Sequence, residues 1–265
     1  MKLFRSLFVA LIFVFMAAPF VIVAGVSVNE RKRLIFPPEG FTLSWYRALW
    51  TQSDWFNAMQ NSVIIALLAS LLAVSLALPI ALYLWQRSNL LAKALFSLGL
   101  APFMLPPVIT ALGLLIFWVT IGGSGQLYAT VISHGVFLVT LPLVTISLGL
   151  ETINTHYLEA ARVMGATERT VFRTVTLPLI LPYIVSGFAF AFVLSLNEYI
   201  IAYMVAGFTV ETLPVKILNS LRYGYTPTMG AVAVLFALTS VIVFSLIARF
   251  GDLPRLLGAP ARESE

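Results

Sequence analysis

The chain has 265 residues, 60% of them hydrophobic and 10% charged, with a net charge of +5, a mean hydropathy of +0.98 and no cysteine. Soluble domains carry about a quarter of their residues charged, so this balance describes a membrane protein. Its few cations form no continuous basic face for nucleic acid and read instead as membrane topology. The missing cysteines exclude disulfides, thiolate catalysis and cysteine-ligated metals.

Lys2 and Arg5 precede an apolar run over 6–28. It exceeds the roughly 7–15 residues of a signal-peptide core and is long enough to cross about 30 Å of hydrocarbon. We read it as a retained first span, bent at Pro19, with its N-terminus in the cytoplasm. Residues 29–57 are polar and mixed, Pro37-Pro38-Glu39-Gly40 signals a turn, and Thr42 or Ser44 is placed to cap a short helix bearing Trp45, Tyr46, Leu49, Trp50 and Trp55. Such aromatics suit the membrane–water boundary, as an interfacial anchor or as a contact for an extracytoplasmic partner. The second span is 61–86, interrupted by Pro79. From Ala94 to Leu150 there is no Asp, Glu, Lys or Arg. At 1.5 Å per residue this is too long for one crossing, and Gly122-Gly123-Ser124-Gly125 divides it into spans 94–120 and 127–150. Pro102, Pro106 and Pro107 fall in the third and Pro142 in the fourth, either as packing kinks or as irregular segments lining a cavity.

A polar stretch comes next, from Glu151 to Pro178, with Glu159, Arg162, Glu168, Arg169 and Arg173 between nearly charge-free flanks. Ionised groups are costly in lipid, so this stretch protrudes into water. Its local logic is helix, sharp turn, helix. Asn154 or Thr155 is placed to cap the first helix, and Gly165 falls where a left-handed C-terminal cap would stop it. Thr167 can cap a second short helix, which Leu177-Pro178 closes because proline suits the first turn of a new helix.

The fifth span covers 178–206, an outer segment 207–228 contains a short re-entrant helix near 216–223, and the sixth span covers 229–248. Both ends then lie inside. Lys2, Arg5, Arg87, Lys93, Arg162, Arg169, Arg173, Arg249, Arg255 and Arg262 fall on the cytoplasmic side, against Arg31, Lys32, Arg33, Arg47, Lys216 and Arg222 outside. The majority follows the positive-inside trend, and the first outer loop opposes it.

Glu198, in Ser195-Leu196-Asn197-Glu198-Tyr199, is the one carboxylate between two apolar runs of the fifth span. An intramembrane carboxylate is a functional-site candidate facing a water-filled cavity or a cation. The alternative is a protonated inter-helix bond or a reach to the aqueous edge. Asn197 is placed to break the helical ladder by bonding backbone groups. His134 and His156 are too few and too far apart for a metal site. His134 reads as a neutral imidazole bonded to a neighbouring helix, or as part of a permeation path. No G-x-x-x-x-G-K-[ST] run binds ATP phosphates here.

The spacing Glu159-Ala160-Ala161, three residues, Gly165, nine residues, Val175-Thr176-Leu177-Pro178 resembles the EAA loop of ABC importer permeases, with Val175 where the family usually has Ile. The resemblance implies an all-α membrane protein of the type I ABC importer permease kind, one permease domain over 1–265 with six transmembrane helices. It implies that 151–177 is a cytoplasmic coupling loop. Its Glu159, Ala160, Ala161, Gly165, Leu177 and Pro178 would couple the bundle to a separate ATP-hydrolysing subunit. Phe41-Thr42-Leu43-Ser44-Trp45-Tyr46 and Leu213-Pro214-Val215-Lys216-Ile217 are similar to the spermidine/putrescine branch. There the position of Asn197-Glu198 often holds an acidic pair suited to a polycation; here the first member is Asn, and sugar permeases also show Asn-Glu near this point.

The same resemblance implies a transport subunit rather than an enzyme, in a bacterial inner membrane, moving a polyamine by alternating access with Asn197 and Glu198 in the substrate path. A sugar or amino-acid derivative is the alternative substrate. The implied partners are an ATP-binding cassette ATPase dimer, a second homologous permease and an extracytoplasmic binding protein. No cofactor is expected on this chain, since ATP and Mg²⁺ belong to the ATPase. A self-contained secondary transporter or channel would need coupling residues of its own, for which only Glu198 and His134 qualify. A non-transporting scaffold would need no intramembrane polarity at all.

Overall fold

A computed structural model describes residues 2–87 and 89–250, and these are all-helical, without strands. Arg255 and Arg262 lie outside the described residues. The apolar run at the start is helix α1 (Lys2–Ser27), whose Phe, Leu and Val side chains are exposed on every side. A water-soluble fold would bury such a surface, whereas lipid solvates it. Hydrogen bonds tie down the end of α1. The Ser27 hydroxyl donates to the Ala24 carbonyl at 2.7 Å and lies 2.8 Å from the Tyr46 hydroxyl. Tyr46 belongs to α2 (Ser44–Thr51), and the neighbouring Trp45 Nε1 donates to the Asn29 carbonyl at 2.7 Å.

The bundle is built around α3 (Ser53–Gln86), a 34-residue helix. Along one side it presents Ala58, Ser62, Ala66, Ala69, Ala73, Ala77 and Ala81, all buried. Their spacing of three or four residues keeps them on one face. Small side chains let helix backbones approach closely, which in lipid replaces the hydrophobic drive available in water. Against this face pack α6 (Leu127–Leu138), α7 (Thr140–Glu151) and α10 (Leu177–Asn197). One core cluster at the loop end of α3 joins Ala77 and Ala81 to Leu143, Ile146 and Ile180; another at the opposite end joins Trp55 and Ala58 to Leu213 and Met229. Leu213 opens α12 (Leu213–Tyr223), and Met229 opens α13 (Thr228–Phe250).

The stretch 94–120 is not one straight span. It is α4 (Leu90–Met104) and α5 (Pro107–Thr120), meeting at 106°. The cause is local. Leu105 and Pro106 each precede a proline, which disfavours helical backbone for both, and they sit at ψ 148° and 132°. The pair α6 and α7 bends by 41° at Val139. Pro142 has no N–H for the Leu138 carbonyl four residues back, and α6 ends at Leu138. Among the described residues, four helices are long and apolar enough to cross a membrane, or up to six if each bent pair counts as one crossing.

The Leu177-Pro178 pair does not end a helix. The short α9 (Glu168–Val171) runs through a π turn, Phe172–Thr176, straight into α10. In that turn the Leu177 N–H reaches the Phe172 carbonyl, one residue further than in an α-helix. A widened turn beside a proline relieves the clash that its ring would otherwise make.

Two of the cations that oppose the positive-inside trend are neutralised locally. Arg31 pairs with Glu39 at 2.8 Å, and Lys216 lies 3.0 Å from Glu211 and 3.7 Å from Asp54.

Candidate functional site

The polar stretch folds as α8 (Thr155–Val163), a turn and α9. Asn154 caps α8 by accepting the His156 N–H at 3.0 Å, and Thr167 caps α9 by accepting the Thr170 N–H at 3.3 Å. Between them Gly165 sits at φ +83°. Its N–H donates to the Arg162 carbonyl at 2.9 Å, and the Ala166 N–H donates to the Ala161 carbonyl at 3.1 Å. This pair of bonds is the Schellman arrangement. Ala161 and Ala166 both pack onto the loop-end core, which supplies the accompanying apolar contact.

A bidentate ion pair braces the same turn. Arg162 Nε lies 2.8 Å from Glu168 Oε1 and Nη2 lies 3.1 Å from Oε2. Its hydrogen bonds to Arg162 hold the Glu168 carboxyl below the ordinary carboxylate range, and Glu168 in return raises the guanidinium. Leu158 and Val171 are buried in the core that includes Ile153 and Ile180, so both helices are seated on the bundle. A cleft of about 770 Å³ opens beside them, with Trp85 and Arg87 at the end of α3 on one wall and Thr155, Arg162 and Glu168 on the other.

The opposite face of α8 points outward. Tyr157, Ala160, Val163 and Met164 are exposed, Val163 by 88% and Met164 by 87%. Glu159 is exposed as well, 3.5 Å from the His156 ring. Ala161 and Leu177 are half-buried and Pro178 is exposed on the helix that continues past it. The residues with the EAA spacing therefore fall in one water-exposed hairpin and its root.

The second polar feature is a break in the fifth apolar segment. Helix α10 stops at Asn197, and α11 (Ile200–Ala206) starts after two non-helical residues. Asn197 Nδ2 donates to the Val193 carbonyl at 2.8 Å, the backbone bond expected of it. Glu198 turns its carboxylate back onto the start of α11. Oε1 accepts from Ile200 N at 2.9 Å and Ile201 N at 3.1 Å, and Oε2 from Ile201 N at 3.0 Å and Ala202 N at 3.2 Å. Oε2 is also 3.2 Å from His134 Nε2, at ion-pair distance but out of line for a hydrogen bond. His134 is fully buried on α6, and its Nδ1 lies 2.8 Å from the Ser195 hydroxyl of α10.

Asn197 and Glu198 thus face different surroundings. The Glu198 side chain is only 10% exposed, whereas Asn197 is exposed and lines two adjoining grooves, of about 250 and 610 Å³, among α1, α10, α12 and α13.

A family model described as the binding-protein-dependent transport system inner membrane component matches residues 73–252, which contain both features. The chain belongs to that family. This inner-membrane component is 29% identical to the spermidine/putrescine transport system permease protein PotC of Haemophilus influenzae, over 92% of its own length and 96% of the relative. It is 31% identical to the putrescine transport system permease protein PotI of Escherichia coli strain K12, over 92% and 91%. These relatives are transport permeases, not enzymes.

Among solved structures, a bacterial ABC transporter involved in the import of the acidic polysaccharide alginate superposes with a TM-score of 0.68 at 15% identity, covering 94% of this chain and 95% of the other. The inward-facing MetNI methionine ABC transporter gives 0.62 at 19% identity, covering 77% and 95%. The fold is that of a type I ABC importer permease.

Sequence reasoning misses two contacts. The pairing of Arg162 with Glu168 crosses a glycine turn, and only the turn's geometry brings them together. The contact of His134 with Glu198 has a signal, because one histidine and one carboxylate stand alone within apolar segments.

Proposed function

We propose that this chain is one of two permease subunits of an ATP-driven, binding-protein-dependent importer of spermidine, putrescine or a related small cation. It would sit in a bacterial inner membrane with both termini in the cytoplasm. Similarity to spermidine and putrescine permeases over nine-tenths of the chain supports the substrate class.

The observation that carries the coupling role is the hairpin at 154–171. It is capped at both helices, cross-braced by Arg162–Glu168 and seated on the core, yet it turns Val163 and Met164 outward. A rigid piece with an apolar outer face suits docking to another protein, since apolar exposure in water otherwise brings no advantage. The partner is an ATPase dimer that carries ATP and Mg²⁺. Closure of that dimer would push the hairpin, and the bundle would tilt between openings to either side of the membrane. A binding protein would deliver the solute outside.

The experiment is purification from membranes together with uptake of labelled spermidine, putrescine, a sugar and methionine by cells expressing the complete transporter. An ATPase that co-purifies and polyamine uptake that outcompetes the others are expected. Sugar uptake in place of polyamine uptake would overturn the substrate class, and absence of any ATPase would overturn the importer. Because the chain has no cysteine, Arg169→Cys supplies a unique thiol. Its labelling from the cytoplasmic side alone is expected, and labelling from outside would overturn the orientation.

A further inference from the structure

The break between α10 and α11 separates its polar groups onto two sides, and we infer that only one of them receives the solute. The C-terminal end of α10, with Asn197, is an ammonium-binding site, while Glu198 and His134 are positioning residues behind it. The inference rests on the polyamine reading and deepens it.

A helix that begins inside a bundle presents unpaired N–H groups and the positive end of its dipole. Here Glu198 meets both needs, with its two oxygens spread over the N–H groups of Ile200, Ile201 and Ala202. The remaining neighbour of that carboxylate is His134, itself fixed on its other side by Ser195. For Glu198 to grip a solute it would have to let go of these donors, leaving them unpaired in a buried place. Its charge is spent inside the protein.

The end of α10 is the reverse case. Its last carbonyls carry the negative end of a 21-residue helix dipole. Those of Leu196 and Asn197 accept no hydrogen bond from another described residue. Asn197 commits its amide nitrogen to the Val193 carbonyl, so Oδ1 is the atom left for a ligand. Carbonyls at the C-terminal ends of broken helices are a recurrent way for transporters to hold cations. An alkylammonium brings three N–H donors, which matches a cluster of neutral oxygens. Ile217 and Phe236, which line both grooves beside Asn197, supply an apolar wall for the methylene chain. Tyr199 adds an aromatic face and a hydroxyl at the same groove.

The test measures binding of labelled putrescine to the purified permease–ATPase complex without its binding protein, alongside uptake by the complete transporter. Asn197→Leu is expected to weaken binding about tenfold or more, and Asn197→Asp to tighten it. Glu198→Gln and His134→Leu are expected to leave Kd within about twofold while uptake collapses, and His134→Gln, which keeps a polar contact, to restore part of the rate. A Glu198→Gln variant that loses binding as Asn197→Leu was expected to, or a silent Asn197→Leu, would overturn the inference and leave the polyamine reading standing. A wild type that neither binds nor imports putrescine or spermidine would overturn both. If Glu198→Gln fails to reach the membrane, the two Asn197 variants decide alone.

Discussion

Gly165→Val is the most direct probe of the hairpin, because the cost can be located. At φ +83° a side chain meets no atom within 4 Å, so the penalty lies in the backbone and not in packing. Left-handed backbone costs an ordinary residue about 1–2 kcal/mol, and a β-branched residue more. Two hydrogen bonds depend on this conformation, those to the Arg162 and Ala161 carbonyls, each worth about 0.5–1.5 kcal/mol net. The strain therefore rivals what the two bonds together supply, about 1–3 kcal/mol, and one or two kcal/mol changes the population of the turn by about 5–30-fold. The rest of the bundle does not share the loss, since the two other core clusters draw on no hairpin residue.

The expected result is a protein inserted at wild-type levels, with uptake reduced to a small fraction and the ATPase no longer stimulated by loaded binding protein. Gly165→Asn, whose side chain tolerates this backbone, should retain most uptake. Initial rates of labelled putrescine uptake, normalised to permease in the membrane, make the comparison. Normal uptake by the Val variant, or equal failure of Val and Asn, would refute the reasoning.

Val163→Asp combined with Met164→Glu should abolish ATPase co-purification while leaving the melting temperature of the solubilised permease unchanged, because both side chains are exposed. Glu168 is held below the ordinary value of 4.5 in the fold, so its contribution is present above that value and lost as pH falls through the lowered one. The protection of the Gly165 and Ala166 amides against hydrogen exchange, taken relative to intrinsic exchange at each pH, should fall on acidification below 4.5, and Glu168→Gln should remove that loss. Ala73→Leu, at a fully buried position on α3, should overpack the bundle by about 1–3 kcal/mol, read as a lower melting temperature and reduced amount in the membrane.

The hairpin was legible because its rules are local. Asn154, Thr167 and Gly165 act on backbone groups within a few residues, so residue type and spacing carry most of the information. The same proline signals misled where the outcome depends on geometry. Leu105-Pro106-Pro107 announced an interruption, but not that α4 and α5 would meet at 106°. Pro178 announced a helix start, whereas the chain absorbed it in a π turn and continued. Glu198 was recognisable as an anomaly, but sequence position says nothing of what a carboxylate meets across the bundle. Its partners are three backbone N–H groups and an imidazole from another helix. Distinguishing Asn197, open to the grooves, from Glu198, turned away from them, needed the third dimension.

The alanine face of α3 also bears on how a push would travel. Alanine has no side-chain torsion to rotate, so the seam it makes with α7 and α10 contains little that could yield under load. A displacement delivered near Ala81 would arrive at Ala58 almost undamped, as along a stiff mast. Compliance is left to the places where the helices are interrupted.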